Sequence, residues 1–497
     1  MTATIDDPHP ASADLAYLDA HDLLERLEAG TLTTVELVGS LLDRIDALEH
    51  AGPALHAIIS LAPDALDVAA QLDAERAAGA LRGPLHGIPV LVKDNVDTAG
   101  PLGTTAGSLA LTGRGPADDA PLVTRLRAAG ALVLGKTNLS EWANIRSEMS
   151  SSGWSAVGGL SRNPHALDRS AGGSSSGSGA AVAAGYAPLA VGTETDGSIT
   201  CPAALNGLVG LKPTVGSIPG AGIVPISHRQ DTAGPMTRSI RDAALLFAVL
   251  SGQAADAATP PTPDVAGLRV GVARSRMWGH HPGSDAAAAA VLAGLREAGV
   301  EVVDDVELPP LPSDRSIGRL LLTDLVQDLA GYLDTRDDVA VRSLADVIVF
   351  NRAHPDEELP HFGQDLFELA VDWAEADDAD ERYQEALALC LAAAKTDGID
   401  RVVTEHRLDA LVAPTYPPAW KIDLLDGDHG LGSCTSYSAI AGYPILTVPN
   451  GAVGGVPLSF AILGTAGSEP TLLRLGAFVE QSVGRAARPA FRGATIG

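Results

Sequence analysis

A glycine- and serine-rich stretch, RSAGGSSSGSGAAVAAGY at 169–186, lies in the middle of this 497-residue chain. Such a composition is typical of a flexible linker, of a phosphate-binding loop or of the floor of an active site. A linker has no reason to lie between buried elements. Here Ala180–Ala184 predict a short helix packed closely on a sheet, and Leu189–Val191 predict a strand. The flanking glycines permit a tight turn, so this pattern alone supports an active site about as well as a purely structural turn.

The surrounding chain alternates between strand-like and helix-like segments. Short aliphatic runs at 88–92 and 131–134 indicate buried strands, and PLVTRLRAAG between them indicates a helix. This alternation is typical of an α/β sheet covered on both faces. A Pro/Ala-rich connector at 252–266 marks a change in the sequence pattern, but we do not interpret it as a boundary between two domains. We therefore predict one domain over 1–497, with N-terminal helices at 1–80, a core at 81–250, an α/β and helical insertion at 251–405 and a return to the core at 406–497.

The charge of the chain restricts its partners. Its 62 acidic and 34 basic residues give a formal net charge of −28, which repels nucleic acid and anionic lipid. No apolar run approaches the ~18 residues of a membrane span, and the acidic N-terminus lacks the features of a signal peptide. Three cysteines, at 201, 390 and 434, fit neither a disulfide framework nor a zinc site. We predict a cytoplasmic protein, monomeric or homodimeric, that binds neither nucleic acid nor membrane.

One segment imitates a nucleotide-binding motif. GALVLGKT at 130–137 satisfies the pattern G-x-x-x-x-G-K-[ST] of a phosphate-binding loop. In a working loop the strand precedes the first glycine, and the middle residues wrap their backbone N–H groups around phosphate. Here the middle residues, Ala131–Leu134, look like the strand itself. We interpret the segment as a buried strand.

A serine in the Gly/Ser stretch would need a base to act as a nucleophile. None of the 13 histidines stands in a recognisable triad context. A lysine can serve if burial keeps its amine neutral, and Lys93 follows a strand-like run, Ile88–Val92. Taken alone, this lysine is more simply explained as a strand-end residue paired with Asp94 or Asp97.

Several long motifs occur together and in order: HGIPVLVKDN at 86–95, AGGSSSGSGAA at 171–181, GTETDGSITCPA at 192–203, NGLVGLKPTVG at 206–216 and QDTAGPMTRS at 230–239. Together they resemble the amidase signature family. The combination of SEWANIRS at 140–147, SGWSAVGG at 152–159 and ETDGSITCPA at 194–203 most resembles bacterial peptide amidases. The resemblance implies a large mixed β-sheet core covered by helices, with a helical insertion, and an amide hydrolase that requires no metal or organic cofactor.

The resemblance also implies a Ser–cisSer–Lys triad. Ser198 matches the family's nucleophile, Ser174 the bridging serine and Lys93 the base. The peptide bond between Gly173 and Ser174 should be cis. The backbone N–H groups of Thr195, Asp196, Gly197 and Ser198 would form the oxyanion hole.

This chain departs from the common family pattern GTDxGGSIR. Glu194 stands at the Asp, Asp196 at a Gly and Thr200 at the Arg. The Asp196 side chain could bind a cationic or hydrogen-bond-donating part of the substrate, or it could only cap the turn. Cys201 suggests a thiol nucleophile, although a small buried residue is the better interpretation.

The substrate is open at this point. The resemblance implies a peptide C-terminal amide first, then small aliphatic or aryl amides and esters. It also allows a glutamyl-tRNA amidotransferase subunit with partner subunits, which the acidic charge disfavours. A scaffold of the same fold without activity is the remaining alternative, and the intact triad side chains speak against it.

Overall fold

The computed structural model of the protein describes residues 15–253, 260–304 and 306–494. The first 14 residues, which carry part of the signal-peptide prediction, lie outside the described residues, as do 254–259 of the connector.

The strands of the described chain comprise one large sheet and a short hairpin. Their bounds are β1 Ile58–Leu61, β2 Pro89–Lys93, β3 Leu132–Thr137, β4 Trp154–Ser155, β5 Gly159–Leu160, β6 Leu189–Glu194, β7 Val209–Lys212, β8 Thr232–Thr237, β9 Arg269–Gly271, β10 Glu301–Val303, β11 Ala410–Pro414, β12 Ile445–Val453 and β13 Val456–Leu463.

Eleven of these strands form a single sheet in the order β1-β3-β2-β6-β8-β7-β12-β13-β11-β9-β10. Its strand β2 pairs in parallel with β3 and β6, whereas β8 runs antiparallel to β6 and β7. The sheet is therefore mixed, which confirms the predicted fold class. Strands β2, β3 and β6 are buried along their whole length, as expected where helices cover both faces.

Two helices of the described chain precede the first strand, and the others lie between or after the strands. Their bounds are α1 Ala20–Glu28, α2 Thr34–Glu49, α3 Ala65–Ala77, α4 Pro121–Ala128, α5 Ser176–Ala184, α6 Thr200–Leu205, α7 Ile240–Ser251, α8 Arg274–Met277, α9 Pro282–Glu297, α10 Asp314–Leu333, α11 Leu344–Ala353, α12 Pro355–Glu358, α13 Asp365–Ala374, α14 Ala379–Leu391, α15 Arg401–His406, α16 Ser436–Ala441 and α17 Glu469–Val483; a π-helical stretch joins α14 to α15.

The segment that imitates a phosphate-binding loop is a strand. Its residues Leu132–Thr137 form β3. The Lys136 amine donates to the carbonyls of Val96 at 2.5 Å and Gly103 at 2.9 Å, so it is engaged by the protein itself. The buried-strand interpretation is confirmed.

The Gly/Ser stretch forms a turn followed by α5, and every residue of this helix is buried. Small side chains are required because the helix is pressed against its neighbours. A β-carbon placed on Gly177 would lie 2.3 Å from the carbonyl oxygen of Ala57 and 2.5 Å from that of Asn138. Gly185 ends the helix in the left-handed region, with φ of 79°. The linker interpretation is wrong for this chain.

The helical insertion shares an apolar core with the sheet domain. Leu325 and Leu329 of α10 and Phe367 of α13 are buried with Trp142 and Val224. The rings of Trp142 and Phe367 meet edge to face with centroids 5.8 Å apart. The insertion therefore packs against the segments 142–146 and 223–231, which border the site described below.

Gly177→Ala should destabilise the protein by about 1–3 kcal/mol, because its methyl group overlaps two carbonyl oxygens that belong to other segments. The matched control is Gly294→Ala in α9, where a β-carbon meets no atom within 4 Å. That change should stabilise the protein by about 0.5–1 kcal/mol, since alanine favours the helix. Urea unfolding measures both, and equal effects would contradict the packing described for α5.

Candidate active site

Lys93 ends β2 and is fully buried. Its Nζ lies 2.7 Å from the Ser174 hydroxyl oxygen, 2.9 Å from the Thr193 hydroxyl oxygen and 3.3 Å from the Thr193 carbonyl oxygen. Because β2 and β6 are parallel neighbours, their carboxyl ends meet at one edge of the sheet, and this brings Lys93 beside Thr193.

Burial lowers the pKa of Lys93 to about 7, while the more distant carboxylates of Asp231 and Glu194 raise it in part. A substantial fraction of the amine is therefore neutral at physiological pH. The neutral amine has a lone pair that can accept a proton from the Ser174 hydroxyl, which the ammonium form cannot do.

The alternative partners of Lys93 are engaged elsewhere. Asp94 accepts hydrogen bonds from the backbone and hydroxyl of Thr105 and lies 3.6 Å from the amine of Lys136. Asp97 accepts a hydrogen bond of 2.8 Å from the Tyr332 hydroxyl. The structural interpretation of Lys93, a strand-end ion pair with Asp94 or Asp97, is therefore wrong.

The turn before α5 presents Ser174 to this amine. The peptide bond between Gly173 and Ser174 is cis, as the family resemblance implies. A β-carbon on Gly173 would lie 2.3 Å from Ser140 Oγ and 2.8 Å from Ser152 Oγ, so a larger residue there would displace these two hydroxyl groups. The Ser140 N–H donates to the Ser174 carbonyl at 3.0 Å, which fixes the turn.

Ser198 lies on a second turn, between β6 and α6, that packs against the first. The Ser175 N–H donates to the Ser198 carbonyl at 3.1 Å, so the two serine turns are joined directly. Gly197 has φ of 82°, and a β-carbon there would lie 2.3 Å from the Tyr416 hydroxyl oxygen. Ser198 is 8% exposed, whereas Ser174 is fully buried. The described chain contains no hydrogen bond between the Ser174 and Ser198 hydroxyls; the backbone link between the two turns is made by Ser175.

The backbone N–H groups of 195–198 have no acceptor within the described parts of the protein. The next two N–H groups, of Ile199 and Thr200, donate to the Glu194 carboxylate at 2.7 and 2.8 Å. Glu194 therefore secures the start of α6 and holds the turn that carries Ser198. The free N–H groups of the preceding residues are available to an oxygen atom of a ligand.

Asp196 is anchored by residues distant in sequence. Its carboxylate accepts hydrogen bonds from the hydroxyls of Thr435 at 2.6 Å and Ser436 at 2.7 Å. Burial raises its pKa. Each carboxylate oxygen thus has a protein donor, which ties the turn that carries Ser198 to the start of α16.

Asp231 fastens the other side of the turn. Its carboxylate accepts a hydrogen bond of 2.6 Å from the Thr195 hydroxyl and bonds of 2.7 and 2.9 Å from the N–H groups of Ile226 and Ser227. Burial raises the pKa of Asp231 to about 6. The Ser227 hydroxyl in turn donates to Asp324 of α10 at 2.5 Å. The helical insertion is thereby connected to the turn that carries Ser198.

Sequence reasoning assigned no role to Thr193, Asn95 or Asp231. The Thr193 hydroxyl accepts from both Lys93 and Asn95, the latter at 3.0 Å, so it is part of the lysine's surroundings. Its position could have been found by pairing the strand that ends at Lys93 with the strand that ends before Ser198. Asp231 lies in the motif QDTAGPMTRS, which contributes to the family resemblance, but the sequence analysis assigned no function to any residue of this motif.

Cys201 follows Ser198 closely but has the character of a packing residue. It is 4% exposed and packs against Leu205 and Ala419. Burial raises the pKa of its thiol to about 12, so the thiolate is scarce at neutral pH. The small-buried-residue interpretation is confirmed.

Within the ranges that the structure describes, no helix combines the length and apolar composition needed to span a bilayer. Across those ranges, no three His, Cys, Asp or Glu side chains are grouped in a way that would hold a metal ion.

The chain matches the family model described as Amidase over residues 36–473, which is most of its length. It belongs to the amidase family. The native peptide amidase of Stenotrophomonas maltophilia is 45% identical to this amidase, with a TM-score of 0.87 over 97% of this chain and 99% of that one. The resemblance to the amidase signature family is confirmed, and the protein is a hydrolase that acts on carbon–nitrogen bonds.

Two further relatives show the range of the family. An amidase family protein of Bacillus anthracis strain Ames is 31% identical, with a TM-score of 0.84 over 96% of this chain and 93% of that one. A glutamyl-tRNA(Gln) amidotransferase subunit from Symbiobacterium thermophilum is 37% identical over 486 residues, 93% of this chain and 96% of that protein.

Native amidase should resist thiol alkylation. Burial raises the pKa values of Cys201 and Cys390 to about 12 and about 11 and also raises that of Cys434, and all three side chains are inaccessible. Iodoacetamide at pH 8 should therefore add nothing to the native chain, whereas the urea-unfolded chain should gain three adducts by intact mass. Rapid modification of Cys201 in the native protein would contradict its assignment as an inert residue.

Proposed function

We propose that this amidase hydrolyses carboxamides, with peptide C-terminal amides as the first substrate class, through an acyl-enzyme on Ser198. The observation that carries the proposal is the 2.7 Å contact between the buried Lys93 amine and the Ser174 hydroxyl, on a turn joined to that of Ser198. The full-length similarity to a peptide amidase supports the substrate class.

In the proposed reaction, neutral Lys93 takes a proton from Ser174, and Ser174 takes one from Ser198 as the Ser198 oxygen attacks the carbonyl carbon. The carbon–nitrogen bond then breaks as the same proton returns through Ser174 to the leaving nitrogen, which departs as ammonia. Water repeats the sequence: it loses a proton towards Lys93, attacks the ester and releases the carboxylic acid and the Ser198 hydroxyl.

The N–H groups of 195–198 would stabilise the negative oxygen of each tetrahedral intermediate. They lack acceptors among the described residues and belong to a turn held by Glu194, Asp196 and Asp231 on three sides. A donor of this kind typically lowers the barrier by about 3 kcal/mol when it is fixed before the reaction begins.

Glutamine hydrolysis within an amidotransferase complex is the second candidate, because a subunit of such an enzyme is 37% identical over nearly its full length. The net charge of −28 disfavours binding to tRNA. A panel of a peptide amide, glutamine, a fatty amide and an aryl amide would separate these substrate classes by ammonia or arylamine release.

We propose the cytoplasm as the location, since the three cysteines are all free thiols.

Ser198→Ala should abolish amide hydrolysis, with kcat reduced by about 10⁴-fold or more because the attacking oxygen is removed. The matched control is Ser178→Ala in the same Gly/Ser stretch, whose hydroxyl contacts the Thr137 hydroxyl and the Val191 carbonyl. The kcat of Ser178→Ala should stay within about tenfold of the parent's kcat, because a buried hydrogen bond contributes at most about 1.5 kcal/mol. A fluorophosphonate should form one adduct with the parent and none with Ser198→Ala. Equal turnover by Ser198→Ala and the parent would refute the nucleophile assignment.

The rate should rise with pH as Lys93 loses its proton. Since its pKa is lowered to about 7, kcat/KM should increase about tenfold per pH unit below that value and level off above it. Asp231→Asn removes a negative charge that raises the pKa of Lys93, so the midpoint should move to lower pH. A profile that is flat from pH 5 to 9 would contradict a lysine base.

A further inference from the structure

A loop from Trp420 to Ser436, here called the rim loop, begins and ends at the two serine turns. At its start, the Trp420 carbonyl accepts a hydrogen bond of 2.9 Å from the N–H of Ser170, within the Gly/Ser stretch. At its end, Thr435 and Ser436 donate to Asp196, two residues before Ser198. The rim loop therefore extends from the turn that precedes Ser174 to the turn that carries Ser198.

The middle of the rim loop is attached to a third segment beside the site. Both carboxylate oxygens of Asp428 lie 3.1 Å from the Ser152 backbone nitrogen, and the Ser151 hydroxyl donates to the Asp423 carbonyl at 3.1 Å. Ser152 itself touches Gly173, because a β-carbon there would lie 2.8 Å from Ser152 Oγ. The rim loop and residues 149–152 thus form a continuous border next to Ser174 and Ser198.

This border leaves large apolar side chains in solvent. Leu425 is 88% exposed, Leu431 63% and Met149 47%. A β-carbon on Gly427 would lie 3.1 Å from the Met149 carbonyl, so the two segments that carry these side chains are in contact. Other exposed large apolar residues lie in separate parts of the fold: Leu66 in α3, Leu81 between α3 and β2, and Val349 in α11. Single exposed apolar residues are ordinary, whereas several on adjoining segments at one site mark a binding surface.

The chemistry of a peptide amide says what such a surface would contact. The leaving group is ammonia, so every other atom of the substrate belongs to the acyl side and must extend away from Ser198 past the residues that border the site. We propose that Leu425, Leu431 and Met149 form an apolar subsite for the side chains that precede the carboxamide, an inference that rests on the proposed function. The substrates it favours are peptide amides with apolar C-terminal residues. Three side chains cover far less than the roughly 800 Å² per partner of a stable protein interface, which argues against a second copy as the occupant.

The test compares ammonia release from trileucine amide and from triglycine amide, which have the same backbone length and leaving group. For the parent, kcat/KM should be about tenfold higher with trileucine amide, mainly through a lower KM. The reason is that the leucine side chains are transferred from water to the apolar surface of the subsite. Replacing Leu425 and Leu431 together by aspartate should bring the ratio of the two kcat/KM values close to one by raising the KM for trileucine amide. Both side chains are solvent-exposed, so the substitutions leave the core unchanged.

The control variant is Leu81→Asp, the same change at a residue that is 54% exposed and precedes β2, at the opposite end of the strand from Lys93. It should keep the parent's preference for trileucine amide. A parent that hydrolyses both peptides equally well would overturn the subsite and leave the proposed function standing. A rim variant that loses both activities in proportion would also overturn it, since the loop would then act on catalysis. A parent that hydrolyses neither peptide amide would refute the proposed substrate class itself.

Discussion

The burial of an amine without a carboxylate in contact is the constraint on which the site depends. Lys93, Lys136 and Lys212 are all fully buried, but their surroundings differ. Lys136 has three oxygen acceptors and the Asp94 carboxylate nearby, and Lys212 donates to the carbonyls of Pro213 and Tyr443. Only Lys93 of these three faces a serine hydroxyl at hydrogen-bond distance. Desolvation favours its neutral form, and in that form the amine can act as a base towards the hydroxyl.

Three carboxylates near this amine accept hydrogen bonds that hold the backbone of the site in place. Glu194 holds the start of α6, Asp196 holds the start of α16, and Asp231 holds the loop that contains Ile226. Each of them lies within or beside the turn that carries Ser198, yet each accepts hydrogen bonds from a different part of the chain. The N–H groups of 195–198 have no acceptors among the described residues, so the position of this turn depends on these three carboxylates rather than on hydrogen bonds of its own N–H groups.

Local sequence patterns were sufficient for the elements that bear the site. The aliphatic run before Lys93 predicts β2, and the small residues after Ser174 predict a closely packed α5; both are observed. The link between Asp196 and Thr435 could not be predicted, since 239 residues separate them and nothing local marks the pair. Strand order could not be predicted either: β8 lies between β6 and β7 although β7 precedes it in the chain, and no local pattern marks this pairing. The motif resemblance supplied the serine pair that periodicity alone left open.

The insertion has a consequence for how small such an enzyme could become. Its helices bury Trp142 and Val224, and its Glu358 receives hydrogen bonds from the Ser108 hydroxyl and the Arg146 guanidinium. Removal of the insertion would expose the apolar side chains of the two loops that contain Trp142 and Val224, and these loops pack beside the turns of Ser174 and Ser198. A shortened enzyme without the insertion would therefore not keep these loops in place. A smaller version would need new side chains to cover Trp142 and Val224.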